Sequence, residues 1–227
     1  AVLSLAKFLE WALKTHPELL WSFFFGLVLA SIFAVAKRKT AWTPASIAAI
    51  VIGTIVAYIV VGLVPLQTPD APWFLFLSGA IAICAMILPG ISGSFMLVIL
   101  GKYEAILAAV NQRDLFTLAC VGAGCAVGIL TFAQVLSWLF KHYHNLTIAV
   151  LIGLMVGSLR KIWPWKHTLE SIMDRHGELK PVIQENILPP AYNGEFVFAL
   201  VLVAIGFGVV LLLDRLANKG VGPETVE

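Results

Sequence analysis

Residues 72–100 read PWFLFLSGAIAICAMILPGISGSFMLVIL, a run of 29 residues without a formal charge. This run is too long for one straight membrane-spanning helix, because about 20 apolar residues cross the hydrocarbon core of a bilayer. Its middle, Pro89–Ser94, holds a proline, two glycines and two serines. Proline removes a backbone donor and glycine tolerates positive φ, so we predict that the helix breaks here. The two arms, 72–88 and 94–110, would then form a broken or re-entrant helix pair.

Similar apolar runs lie on both sides of this segment. The chain is 60% hydrophobic and 12% charged, whereas soluble domains carry about 25% charged residues. Several uncharged runs in series leave no polar surface for water, which excludes a soluble fold. We predict an all-α integral membrane protein, a multi-span helical bundle that forms a single transmembrane domain over residues 1–227. The remaining spans are predicted at 19–36, 44–66, 115–140, 146–159 (short for a crossing) and 196–213, with a polar loop at 160–195.

Composition also argues against several kinds of site. The net charge is only +2 and no basic run exceeds residues 37–39, so nucleic-acid binding is not indicated. Cys84, Cys120 and Cys125 fall inside apolar runs, with no Cys-x-x-Cys pair and no His–Cys cluster. Neither a disulfide framework nor a zinc site is indicated, and we predict no metal or other cofactor.

The break at Pro89–Ser94 is the segment in which the sequence indicates chemistry. Ser92 or Ser94 can cap a helix that restarts at Phe95. Non-helical backbone at membrane depth persists only where protein or a water-filled cavity satisfies it. Because free N–H groups at the start of a helix favour an anion, we predict an anion site. The alternative is a plain Pro-Gly kink whose serines bond back to carbonyl groups.

The residues around this break resemble a known family. Residues 79–104, GAIAICAMILPGISGSFMLVILGKYE, are similar to the signature of the bacterial polyprenyl-phosphate transporter family, long described as a domain of unknown function. Residues 153–165, GLMVGSLRKIWPW, are more loosely similar to a downstream family segment. The resemblance implies a multi-pass transporter, not an enzyme, that translocates undecaprenyl phosphate across the bacterial cytoplasmic membrane. The partners implied are this lipid and the bilayer itself.

The resemblance also implies which residues bind the substrate. A headgroup cradle would consist of Pro89, Gly90, Ser92, Gly93 and Ser94. Lys102 would attract the approaching phosphate, or would merely extend its amine to the membrane interface. Arg160 would supply a counter-charge, with an ordinary interfacial anchor as the alternative. No catalytic or metal-binding residue is assigned.

Family members resemble an inverted repeat in which each half carries its own Pro-Gly-x-Ser-Gly element. This sequence holds one copy of the element, and Ala1 is not an initiator methionine. We therefore expect the first hairpin to lie upstream of Ala1. Loop charges leave open whether residues 72–110 cross the membrane, which places the 160–195 loop inside, or double back, which places it outside. The sequence also leaves open whether the chain forms a homo-oligomer.

Two other functions compete with transport. A membrane polyprenyl-pyrophosphate phosphatase also uses a Pro-Gly-x-Ser loop, but it needs a cation against the transition-state charge and acidic groups nearby. Here Gly93 stands where such a phosphatase has arginine, and residues 72–100 contain no Asp or Glu. A channel would show polar positions recurring along its helices, which these Ala-, Val-, Ile- and Leu-rich spans do not. A passive scaffold gives the serine–glycine break no role.

Overall fold

The apolar spans of the chain are helices. The computed structural model describes residues 11–13, 15–37, 42–63, 68–69, 71–173, 179–189 and 194–220. Four helices within these ranges are long and apolar enough to cross a membrane, which confirms an all-α, multi-span membrane protein. Residues 38–39 of the basic run and residues 64–66 of the span predicted at 44–66 lie outside the described residues.

The described helices and strands group into two compact units. One unit is made of residues 1–38 and 159–227, and the other of residues 39–158. In chain order the elements are α1 Pro17–Lys37, α2 Pro44–Val61, α3 Pro72–Ile87, α4 Gly93–Ile99, α5 Tyr103–Gln112, α6 Leu115–Ser158, β1 Lys166–Met173, β2 Leu179–Asn186 and α7 Gly194–Gly220. The first unit holds α1, the two strands and α7, and the second holds α2 to α6.

Local sequence determines where two of the helices begin. Thr43 is extended before α2, and its Oγ1 accepts a hydrogen bond from the Ser46 N–H at 3.2 Å. Pro44 and Pro72 stand in the first turns of α2 and α3, where a missing N–H breaks no helical hydrogen bond. The starts of these helices therefore follow from the residue types at these positions.

Six hydroxyl groups in the apolar helices are satisfied by the helix that carries them. Each of these side chains donates to the carbonyl oxygen four residues earlier: Ser22, Ser31, Thr54, Ser78, Thr131 and Thr147. Such hydrogen bonds offset the cost of placing a hydroxyl in hydrocarbon. These positions therefore need no ligand to be accommodated in the membrane.

Helix α6 is a 44-residue element with a bend inside it. Tyr143 has a non-helical backbone, with φ −133° and ψ 43°. The bend lies between the two segments predicted at 115–140 and 146–159. Both segments are helical. The polar residues between them are also helical, except at Tyr143.

Each part of α6 packs closely on another helix of its unit. Before the bend, Gly124 and Gly128 lie against the backbone of Phe76 and Ala80 in α3. After the bend, the glycines at 153 and 157 lie against the backbone of α2. Small residues let helix backbones approach in this way without a large apolar side chain between them.

In the first unit, α1 packs against α7, and strands β1 and β2 form an antiparallel hairpin. The pairing runs from Lys166 opposite Asn186 to Met173 opposite Leu179. This hairpin differs from the polar loop expected over 160–195. The sequence did not indicate it, because these segments lack a clean alternation of polar and apolar residues and Pro181 interrupts one of them.

Candidate functional site

The chain breaks between α3 and α4, where the sequence predicted a break. Helix α3 ends at Ile87, and the next residue, Leu88, is extended with φ −75° and ψ 127°. Gly90 adopts φ +91°, a conformation that is unfavourable for residues with a Cβ atom. Ser92 is extended again, with φ −95° and ψ 128°, and precedes the first residue of α4. Residues 88–92 thus form a turn between two helices.

The chain reverses its direction at this turn. A Cβ atom on Gly93 would lie 2.7 Å from the carbonyl oxygen of Ala82, so α4 begins against the preceding turns of α3. At the base of the hairpin, Thr68 Oγ1 donates to the carbonyl oxygen of Leu100 at 2.5 Å. A segment that crossed the membrane would separate these two residues by about 30 Å. Residues 72–100 therefore double back as a hairpin.

The second arm of the hairpin is shorter than expected. Helix α4 has seven residues, whereas a single helix was expected over 94–110. Gly101 adopts φ +64°, and the chain bends by 106° between α4 and α5. Because a helix dipole is the sum of its aligned peptide units, so short a helix attracts an anion only weakly. An anion at this break would therefore depend mainly on the hydroxyl and turn N–H groups.

Ser92 and Ser94 lie exposed at the break, with their Oγ atoms 2.9 Å apart. In the part of the chain that the structure describes, neither hydroxyl bonds to a backbone carbonyl, and Ser92 makes no side-chain cap on α4. This arrangement differs from the plain kink, in which the serines would bond back to carbonyls. Two hydroxyls that share one hydrogen bond keep a second hydrogen available for a ligand.

The turn of the hairpin rests on the end of α6. A Cβ atom on Gly90 would collide with the side chain of Ser158 and would lie 3.3 Å from the Cα of Met155. Ser158 is 3% exposed, and its Oγ donates to the Met155 carbonyl oxygen at 2.7 Å. The sequence alone indicates no role for Ser158, although the residue lies within the family-like segment 153–165. Its contact with Gly90 joins distant parts of the chain and leaves no local signal.

Lys102 is buried, with 1% of its surface exposed. Its Nζ donates to the carbonyl oxygen of Thr68 at 2.8 Å and lies 5.6 Å from the centroid of the Phe74 ring. A lysine that extends its amine to the interface would expose it, so that alternative does not describe this side chain. The hydrogen bond ties the chain before α3 to the turn after α4.

Similarity to known proteins extends over most of the chain. The family described as undecaprenyl phosphate translocase-like matches residues 1–180. This chain belongs to that family. A polyprenyl-phosphate transporter of Vibrio cholerae is 40% identical over 225 residues, which cover 96% of the chain and 73% of the relative. A polyprenyl-phosphate transporter of Staphylococcus aureus is 34% identical over 95 residues, 39% of the chain and 34% of the relative. No solved structure matches.

In this translocase-like chain, the residues of the predicted cradle and Ser158 occupy one place, at the turn between α3 and α4. Lys102 lies beyond the far end of α4, at the base of the hairpin. Arg160 belongs to the other compact unit, where the Asn186 side-chain amide donates to its carbonyl oxygen at 2.8 Å. The structure thus gathers the uncharged candidates at the turn, while Lys102 lies at the base of the hairpin.

Proposed function

We propose that this chain translocates a polyprenyl phosphate, undecaprenyl phosphate in bacteria, across the cytoplasmic membrane. We also propose that the phosphate group of this lipid binds at Pro89–Ser94. The observation that carries this proposal is the exposed hydroxyl pair of Ser92 and Ser94 at a helix break among apolar spans. The family match and the printed names of both relatives support the same class of substrate.

A phosphate needs hydrogen-bond donors to pass through hydrocarbon, because a bare charge there is very unfavourable. The break offers the two serine hydroxyls and the first-turn N–H groups of α4, at Gly93 and Ser94, which have no acceptor within the helix. Gly90 permits the turn that brings these groups together, because its φ of +91° is unfavourable for residues with a Cβ atom. In this proposal these groups replace water around the headgroup while the prenyl tail stays in lipid.

The two cations take different parts in the proposal. Lys102 holds the base of the hairpin through Thr68 and so positions the cradle, which replaces the earlier expectation that it attracts the phosphate directly. Arg160 is kept as a proposed counter-charge for the headgroup. If it acts in this way, Arg160→Gln raises the substrate concentration needed for half-maximal transport, whereas Arg160→Lys retains most of the activity.

Transport is favoured over the phosphatase alternative by the packing of Gly93. The arginine that a phosphatase carries at this position could not be added without moving α4, since even a Cβ atom there would lie 2.7 Å from the Ala82 carbonyl oxygen. Residues 72–100 also supply no carboxylate to handle a metal or protons. Release of inorganic phosphate from polyprenyl pyrophosphate by the purified protein would overturn this preference.

The test is transport of radiolabelled undecaprenyl phosphate in proteoliposomes, measured as the fraction of substrate that becomes accessible to a phosphatase added outside. The Ser92→Ala/Ser94→Ala double variant is expected to lower the initial rate by about tenfold or more. The reason is that a hydrogen bond to a charged group contributes about 1.5–3 kcal/mol. Neither substitution adds an atom, so the packing of α3 and α4 is retained.

A matched control is the Ser31→Ala/Ser78→Ala double variant. Both of these hydroxyls bond to carbonyl oxygens of their own helices, so their removal is expected to leave transport near that of the unmodified chain. Equal rates for the two double variants would remove the hydroxyl pair from the mechanism. Gly93→Leu is a poor test, because its clash with the Ala82 backbone would disturb the fold itself.

A further inference from the structure

A second group of polar side chains lies in the first unit, at the ends of two apolar helices. We call it the lysine–tryptophan cluster; it consists of Trp21, Lys161, Trp163, Trp165 and Lys166. The Nζ of Lys166 lies 4.2 Å from the centroid of the Trp21 ring and donates to the carbonyl oxygen of Lys161. The ammonium group is thus held over an aromatic face, which is a favourable position for a cation.

The tryptophans of the cluster anchor it to both helices of the unit. The ring of Trp163 lies 5.7 Å from that of Phe25 in α1 and 5.7 Å from that of Trp165. Trp165 in turn lies 5.7 Å from Phe196, in the first turn of α7. Trp163 Nε1 also donates to the carbonyl oxygen of Ile187 at 2.9 Å. These contacts give the cluster a built, aromatic wall.

The position of the cluster along the chain indicates a membrane interface. Trp21 and Phe196 stand near the N-terminal ends of α1 and α7, both of which are apolar enough to span a bilayer. The polar strands begin directly after Trp165. Tryptophan side chains concentrate at the headgroup level of membranes, where lipid phosphates also lie.

The electrostatic surroundings of Lys166 favour a bound anion. Burial, and in addition the charge of Lys161, lower the pKa of Lys166 to about 8. Burial also lowers the pKa of Lys161. The neighbour whose charge acts on Lys166 is therefore a second cation, not a carboxylate. An anion bound at the Lys166 amine would offset both the desolvation of this amine and its repulsion by Lys161.

We propose that Lys161 and Lys166, backed by the ring of Trp21, bind the phosphate group of a membrane lipid at the interface. The site uses none of the cradle residues and does not rest on the proposed transport function. A phosphodiester headgroup and a polyprenyl monophosphate share this chemistry, and either would be held by its phosphate while its chains remain in the bilayer. Lysines serve here as point charges, and the indole rings fix the depth of the headgroup.

The test is the affinity of the purified full chain for phosphatidylglycerol, measured by native mass spectrometry in a neutral detergent. Lys161→Gln/Lys166→Gln is expected to weaken the binding of the first lipid by about tenfold or more. The reason is that each basic residue near an anionic headgroup contributes favourable binding free energy. The control variant Arg113→Gln/Lys141→Gln removes two exposed cations from the other unit and is expected to bind as the unmodified chain does.

Further arms keep the proposal open to refutation. Lys161→Arg/Lys166→Arg keeps both charges and is expected to retain the binding. If the glutamine variant does not fold, Trp21→Phe tests the site without a change of charge. Equal affinities in the lysine and control variants would overturn the proposal. So would competition by inorganic phosphate at the same concentration as the lipid, which would indicate a site for free anions. Polyprenyl phosphate that binds with the same lysine dependence would support it.

Discussion

At the scale of the residue, the surroundings of the Lys166 amine imply a pH dependence. Its pKa is lowered from 10.5 to about 8 by burial and by Lys161. On α1, α7, the strands and the turn before them, the other charged or titratable groups with described side chains are Glu18, Lys37, Arg160, His167, Glu185, Glu195, Asp214 and Arg215. An anion binds the protonated amine, so the affinity for phosphatidylglycerol is expected to stay constant below about pH 8 and to fall above it.

Measurement of this affinity between pH 6.5 and pH 10 checks the prediction, because the phosphodiester itself does not titrate in that range. Lys166→Gln should bind weakly and show a flatter profile. Folding stability changes in the opposite direction and rises with pH. The reason is that the folded chain releases the Lys166 proton near pH 8, and the unfolded chain only near 10.5. The unfolded state thus binds more protons between these values, and Lys166 lowers stability less as the pH rises through this window.

Lys102 supports a second prediction at the residue scale. Lys102→Met removes the donor to the Thr68 carbonyl oxygen, and a lost hydrogen bond to a charged group costs about 1.5–3 kcal/mol. We expect the base of the hairpin to open more often, so that hydrogen exchange of the α4 amides becomes faster. Lys141→Met, at an exposed position, should leave exchange unchanged. Exchange at the unmodified rate in Lys102→Met would contradict the positioning role.

At the scale of the element, helix contact in the second unit depends on which glycine faces a partner. A Cβ atom on Gly124 would collide with the Phe76 backbone, whereas one on Gly122 would meet nothing within 4 Å. Gly124→Leu must push α6 away from α3, and overpacking of this kind costs about 1–3 kcal/mol. We expect its melting temperature in detergent to fall clearly, while Gly122→Leu melts near the unmodified chain. The same loss in both variants would show that the contact is not specific.

The elements also show which features of the sequence are informative. The prolines at 44 and 72 and the hydroxyl of Thr43 mark helix starts, because capping involves residues within one turn of each other. The shortness of α4 was not predicted, since Leu100 and Gly101 lie in an apolar run that continues the helical pattern. The turn there is stabilised by Thr68, which is distant along the chain. The β-hairpin was missed for a related reason, because strand pairing joins segments that are each unremarkable alone.

At the scale of the whole molecule, the sequence by itself determined that the chain is a multi-span helical membrane protein with a break at Pro89–Ser94. Hydropathy and helix breaking are properties of short segments, so they can be read without knowledge of any partner. Only the tertiary structure decided that residues 72–100 double back, that Ser158 supports Gly90 and that Lys102 is buried at the base of the hairpin. Each of these depends on contacts between segments far apart in the chain, where a close backbone approach or a single hydrogen bond selects one arrangement among several that the same apolar pattern allows.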